Sequence, residues 1–358
     1  MMFNQLLSER PVGEPPVVAS VAQLSDRGAE LPTAVIDGLR GMDLLAAGDR
    51  PQARRLPSSP ASEVFEVRLG WGTVCIKRAL PEEDGTAATL LMERSLREAQ
   101  WLRFARSVVS ESVPEVLGTR GAMLALEYLE THRHARWHER LRDGEISPST
   151  AAEAGRLAGR LHAASTNQTS GSARLAAASL KSTGASRFLA AARHSQPALE
   201  QRIANVADLA AANRFALLHG DLQPGNFLVG PRGPVLVDAD QAGQGDPALE
   251  LATCLAHLLI LAAARPHWRD RYLTCFDAFQ AAYLQRVTWE RPEYTDERAA
   301  RLLPAVLLGS LALGGQDLVP CSSSGTGSGS ELLVAFARRL LFEPVLRLSA
   351  VRESWRQA

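Results

Sequence analysis

Apolar positions recur with two different periods along the chain. Glu63–Leu69, "EVFEVRL", and Thr73–Leu80, "TVCIKRAL", read as two strands joined by the tight turn Gly70-Trp71-Gly72. The period then lengthens: from about Ala87 to Arg106, residues Leu91, Ser95, Glu98, Leu102 and Ala105 recur at alternating steps of four and three, one face of a helix. "AMLALEYL", Ala122–Leu129, is a short apolar run of the kind that forms a buried strand. From Ser147 the pattern is helical, opened by Ser and Pro start signals, with Leu157 and Leu161 four apart. "NFLVGPRGPVLVD", Asn226–Asp238, predicts two short strands around a Gly-Pro turn, and the remainder is mostly helical.

The first 60 residues are Pro-rich and irregular apart from a helical stretch at Ala34–Ala47. Thr166–Ser186 is small and polar, and Cys321–Ser330, "CSSSGTGSGS", has the composition of a flexible loop. The expected layout is α+β, with a strand-rich N-terminal part over residues 1–129 and a larger helical part over 130–358.

Composition narrows the function classes. The 358 residues are 46% hydrophobic and 22% charged, with a formal net charge of zero. No global field therefore draws the chain to nucleic acid or to an anionic membrane. No signal-peptide pattern opens the sequence. The longest apolar run, Ala252–Ala264, is shorter than a bilayer crossing and reads as a buried helix. Four scattered cysteines without a CxxC pair fit reduced thiols in a cytoplasm. Among 39 basic residues only Lys77 and Lys181 are lysines, a mild hint that Lys77 is special.

The chemistry-bearing cluster is "LLHGDLQPGN", Leu217–Asn226. Asp221 followed five residues later by Asn226 is the spacing of a phosphoryl-transfer catalytic loop, in which the Asp takes the acceptor hydroxyl's proton and the Asn reaches magnesium. His219 would support the loop's backbone, and Pro224-Gly225 would make its turn. Asp238 follows the strand Val235–Val237, and the intervening hairpin returns it beside Asn226; a carboxylate there suits magnesium. Asp240 is the alternative, one step beyond the strand end.

Lys77 lies in an apolar strand, where a cation needs a partner, and it shares a face with Cys75 and Ala79, small enough to admit a flat adenine. Glu98 falls on the inward stripe of the following helix and is the natural counter-charge; its rival Glu93 sits with Arg97, Gln100 and Phe104 on a more polar face. His132, His134 and His138 cluster in "THRHARWHER", and His134 and His138, four apart, have spacing that a metal can use, yet with Arg neighbours and no acid between them they read as a solvated basic segment, placed to favour an acidic or neutral acceptor if it lies at the cleft mouth.

With these elements in this order, the chain resembles the aminoglycoside phosphotransferase and choline kinase superfamily over roughly Leu56–Ala264, chiefly through "HGDLQPGN", "VLVDADQAGQGDPALELA" and "LAGRLHAAS". The resemblance implies a bilobal protein-kinase-like fold with a small antiparallel-sheet N-lobe and a larger helical C-lobe, ATP and Mg2+ as cofactors, and transfer to a hydroxyl of a small-molecule acceptor. It makes Asp221 the base, Asn226 and Asp238 the magnesium ligands, Lys77 the phosphate contact and Glu98 its partner. Glu127, Tyr128 and Leu129 become the adenine-binding hinge.

A more distant similarity is to methylthioribose kinases, which have Ser at the position of Asn226. Three features depart from the superfamily. The phosphate-covering turn, "LPSSPASEV", offers Ser58, Ser59 and Ser62 in place of glycine. Gln223 stands where many relatives have His, and Glu250 stands in place of an Asp, a structural carboxylate in either case. The glycine-free turn motivates an alternative, a non-catalytic nucleotide-binding regulatory protein on a kinase scaffold. The intact Lys77, Asp221, Asn226 and Asp238 argue against it.

Overall fold

A computed structural model describes residues 31–81, 88–166, 186–314 and 329–357. The expected loops within Thr166–Ser186 and Cys321–Ser330 lie almost wholly outside these residues, as do Lys181, Cys321 and most of the Pro-rich N-terminal stretch. The fold is mixed α and β.

Helix α1, Thr33–Gly41, is followed by β1 (Gln52–Leu56), β2 (Ser62–Leu69) and β3 (Gly72–Ala79). Then come α2 (Ala88–Val108), β4 (Val116–Arg120) and β5 (Met123–Glu127). The strands form one antiparallel sheet in the order β1-β2-β3-β5-β4. The β2–β3 hairpin closes with Leu69 opposite Gly72, so Gly70 and Trp71 make a two-residue turn. Strand alternation divides the sheet's two faces. Phe65, Val67, Val74, Ile76 and Ala125 join Val35 and Leu39 of α1 in one core, while Leu124 and Leu126 join Trp101, Leu102 and Ala105 of α2 in the other. Lys77 pairs with Leu124 and shares that second face.

Helix α1 is shorter than the expected Ala34–Ala47. Asp43 adopts φ +57°, and Leu44 N–H donates to Leu39 C=O, a Schellman-type reversal that stops the helix while Leu45 still turns into the core.

The second part begins with β6 (Ala135–Arg136), α3 (Trp137–Arg142) and α4 (Pro148–Thr166), whose first turn is capped by Ser147 Oγ accepting Thr150 N–H at 3.3 Å. Two helices, α5 (Arg187–Ser195) and α6 (Glu200–Ala211), lead to β7 (Ala216–Leu218) and the hairpin β8 (Phe227–Gly230) and β9 (Gly233–Leu236). After β10 (Gly243–Gly245) come α7 (Pro247–Ala264), α8 (Arg269–Leu284), α9 (Pro292–Ala312), α10 (Gly329–Phe342) and α11 (Leu348–Arg356). Strand β6 pairs with β8, and β10 pairs with β7.

Helix α7 is the centre of this part. By length and composition its 18 residues suffice to cross a membrane, with mean hydropathy 1.8, but 94% of that window is buried against the surrounding chain. Its N-cap Asp246 accepts Ala248 N–H at 2.9 Å and also binds Arg298, which in turn holds Glu290. This buried ionic cluster fixes the start of α7 against α9. Helix α5 lies against α9 at Gly309, where a Cβ atom would sit 1.8 Å from the Phe188 carbonyl oxygen. The close approach is available only to glycine.

Candidate active site

The segment between β7 and β8 is shaped by Gly220 and Glu250. Gly220 has φ +88°, and a Cβ there would lie 2.1 Å from the Gln241 carbonyl oxygen. Both the left-handed backbone and the crowding require glycine. Glu250, one turn into α7, accepts His219 N–H at 3.0 Å, Gly220 N–H at 2.6 Å and His162 Nε2–H at 2.8 Å. Burial pushes its carboxyl up, but these donors outweigh burial and hold it below the ordinary value. His219 donates through Nε2 to the Val237 carbonyl at 2.8 Å and accepts Asp221 N–H at Nδ1, while its ring stands edge-on to Trp101 of α2 with centroids 5.0 Å apart. One residue thereby ties the loop to the strand end before Asp238 and to the helix that carries Glu98.

Asp221 is buried at the end of this scaffold. Its Oδ2 accepts Asn226 Nδ2–H at 2.9 Å and Arg187 Nη2–H at 2.8 Å, and Gln223 Nε2 lies 3.1 and 3.0 Å from its two oxygens. Asn226 also donates to the Asp221 carbonyl at 2.8 Å, which fixes its amide and leaves Oδ1 as its acceptor oxygen. Val237 N–H donates to the Asn226 carbonyl at 3.0 Å, so the hairpin does return the chain beside Asn226. Asp238 comes next with φ +70°, a conformation a non-glycine residue holds only when its surroundings impose it.

Across the cleft, Lys77 Nζ donates to Glu98 Oε2 at 2.7 Å and to Asp238 Oδ1. Burial works against the ammonium, but the carboxylates of Glu98, Asp238 and Asp240 prevail and raise its pKa. Burial pushes the Glu98 carboxyl up to about 7, with Lys77 pulling it back and Asp238 adding to the rise. Asp238 is itself lowered: burial acts upward, and Lys77 outweighs it. Glu98 is the buried member of its helix, whereas Glu93 is exposed. Asp240 binds Arg94 of α2 at 2.5 Å, so it serves as a tie between the lobes rather than as the neighbour of Asn226.

Cys75 stands beside Lys77 on β3, its thiol pushed up to about 12 by burial. Ser58 Oγ donates to the Ser62 carbonyl at 2.9 Å, and the Ser59 and Ser62 hydroxyls lie 3.4 Å apart, so these hydroxyls brace the β1–β2 turn. Glu127 ends β5, its carboxylate accepting Glu115 N–H at 3.1 Å, and the Tyr128 hydroxyl donates to Glu66 at 2.9 Å. Leu129 lies on the link to β6.

The basic segment after this link is not uniformly solvated. His132 is exposed, but His138 follows the buried Trp137 inward; its Nε2 is enclosed without a hydrogen-bond partner, and burial lowers its pKa to about 4. Nothing in the local sequence marks that burial, which comes from Trp137 packing on Phe227 and Phe279. Sequence reasoning also missed Arg187 and Arg136, whose Nη1 donates to the Gly225 carbonyl at 2.6 Å. No group of three or more His, Cys, Asp or Glu suited to a metal occurs among the described residues.

The arrangement brings a carboxylate, an amide oxygen, a second carboxylate and a paired ammonium to one cleft. Solved structures with a similar fold include an amicoumacin kinase in complex with AMP-PNP, Ca2+ and Ami, at TM-score 0.57 and 14% identity over 89% of this chain and 96% of that one. An ethanolamine kinase of Plasmodium vivax matches at TM-score 0.54 and 10% identity over 85% and 87% of the two chains. A choline kinase of Cryptosporidium parvum matches at TM-score 0.54 and 11% identity over 90% and 100%. No curated protein sequence matches the chain. The sequence model of the phosphotransferase enzyme family (APH) matches residues 52–294, most of the chain and somewhat more than the motifs alone delimit, and the chain belongs to that family.

Proposed function

We propose that the chain transfers the γ-phosphoryl group of ATP to a hydroxyl of a small metabolite. The observation that carries this reading is the joint placement of Lys77 with Glu98 on one side of the cleft and of Asp221, Asn226 and Asp238 on the other, with Lys77 bonded across it to Asp238. Asp221 accepts the acceptor's hydroxyl proton, and Lys77, held by Glu98, contacts the α- and β-phosphates. Adenine lies against Cys75 and the Glu127–Leu129 link, and the Ser58–Ser62 turn covers the phosphates. The lobes divide near residue 129.

Asn226 Oδ1 and the Asp238 carboxylate form an all-oxygen donor set that fits Mg2+, which takes few protein ligands and completes its shell with phosphate and water. The ion, when bound, neutralises charge on the transferring phosphate. The named activities of the structural neighbours, on amicoumacin, ethanolamine and choline, support a small-molecule acceptor. The free thiols of Cys75, Cys254 and Cys275 support a cytoplasmic location.

The test is single-turnover phosphoryl transfer by an Asp221→Ala variant. A loss of about 10²–10⁴ is expected on removing a positioned base. Activity within a few-fold of the wild type removes Asp221 from that role.

A further inference from the structure

Asp221 already accepts from three side chains, and an incoming hydroxyl has to find room among them. Asn226 is buried and doubly bound, and Gln223 is a short neighbour in the same loop. Arg187 differs from both. It reaches Asp221 from a separate element, the first turn of α5, and 45% of its side chain is exposed. The acceptor therefore enters past Arg187.

An atom hydrogen-bonded to Asp221 Oδ2 lies within roughly 3–5 Å of that guanidinium, given the 2.8 Å separation of the pair. An ammonium on the acceptor at this range is repelled. A carboxylate is held by the planar fork that matches it.

Charge conservation through the reaction sharpens the point. The acceptor O–H bond breaks as its proton passes to Asp221; the acceptor oxygen forms the new bond to phosphorus, and the bond from phosphorus to the ADP oxygen breaks. Protonated Asp221 no longer balances Arg187. An acceptor carboxylate keeps Arg187 paired throughout. Two further positive features border the loop: Arg136 donates to the Gly225 carbonyl at 2.6 Å, and the α5 N-terminus, whose positive dipole end carries Arg187, receives no side-chain cap from Ser186.

We propose that Arg187 selects the acceptor, and that the acceptor is a hydroxy acid with its carboxylate one or two carbons from the phosphorylated hydroxyl. That spacing, roughly 3 Å between the oxygens, is what lets one molecule reach both Asp221 and Arg187. This inference rests on the kinase reading above for the identity of the reacting hydroxyl.

The experiment pairs hydroxy acids (glycerate, lactate, malate) with their amide or alcohol counterparts and with ethanolamine. Binding to the protein loaded with Mg2+ and AMP-PNP is followed by calorimetry, and phosphoryl transfer from ATP is followed separately. At least one acid is expected to bind and react about a hundredfold better than its amide. Arg187→Ala is expected to bring that ratio to within a few-fold, mainly through KM, Arg187→Lys to restore part of it, and Arg187→Glu to shift preference toward ethanolamine. The inference is overturned if no acid exceeds its counterpart tenfold in binding, or if Arg187→Ala lowers acid and amide turnover equally, which would make Arg187 a general transition-state contact. Selective acid binding with no transfer from ATP would instead overturn the kinase reading and leave the anion site standing.

Discussion

Replacement of Glu250 tests whether the loop between β7 and β8 is held from behind. The carboxylate is 2% exposed and accepts from two consecutive backbone amides, at 3.0 and 2.6 Å, and from His162 at 2.8 Å. Each buried donor left without an acceptor costs about 1–3 kcal/mol. Glu250→Ala strands three donors and removes side-chain volume, so a loss of roughly 3–9 kcal/mol follows from the hydrogen bonds alone. That is a large part of an ordinary stability of about 5–15 kcal/mol. Glu250→Gln keeps one acceptor oxygen but turns an NH2 group toward a donor, and it should cost about 1–3 kcal/mol while leaving the core filled.

Urea unfolding at pH 7 measures the loss, and amide hydrogen exchange at His219 and Gly220 localises it. The choice of pH matters. The folded pKa of Glu250 lies below its ordinary 4.5, so its contribution is present above that value and fades as pH falls through the folded pKa. If Glu250→Gln unfolds within about 0.5 kcal/mol of the wild type and both amides keep their protection, the loop is not held by Glu250 and the reasoning is refuted.

Two further outcomes follow from the same geometry. Gly220→Ala forces a Cβ against a backbone oxygen 2.1 Å away in a left-handed conformation, whereas the nearest side-chain atoms to a Cβ at Gly225 are 3.9 Å away. Gly220→Ala should cost about 2–4 kcal/mol and about 10²-fold in turnover, and Gly225→Ala less than about 1 kcal/mol; equal effects in denaturation and kinetics would contradict this. His138, lowered by burial from 6.5 to about 4, stays neutral in the fold while the unfolded chain protonates. Its contribution is complete above pH 6.5 and declines by roughly 2 kcal/mol as pH falls toward 4, so His138→Phe should flatten the wild-type difference between urea midpoints at pH 7 and pH 5, and an unchanged slope would exclude His138 as its source.

The parts of the site legible in the sequence are those in which a side chain's face is set by its own element. Lys77 and Glu98 could be paired because strand alternation and a helical stripe each turn a charge inward, and an inward charge needs a partner. Asp221 and Asn226 were legible because five residues span one loop. The end of α1 was not: Leu44 and Leu45 continue the apolar pattern, and only the left-handed Asp43 shows that they pack from a turn.

Arg187 and His138 illustrate a different limit. No period connects Arg187 to Asp221, because their contact is set by where α5 lies on α9, and that depends on the missing side chain at Gly309. His138 sits in a run of basic residues and is carried inward by Trp137 packing on Phe227. Both depend on the seating of helices that touch across long stretches of chain. A short segment can carry this part of the site because Asp221 and Asn226 lie within one hydrogen-bonded loop. If Arg187 selects the acceptor as proposed, that choice is made at the rim of the loop by a side chain from a separate helix, and substitution there should change what is phosphorylated while the loop and its glycine stay the same.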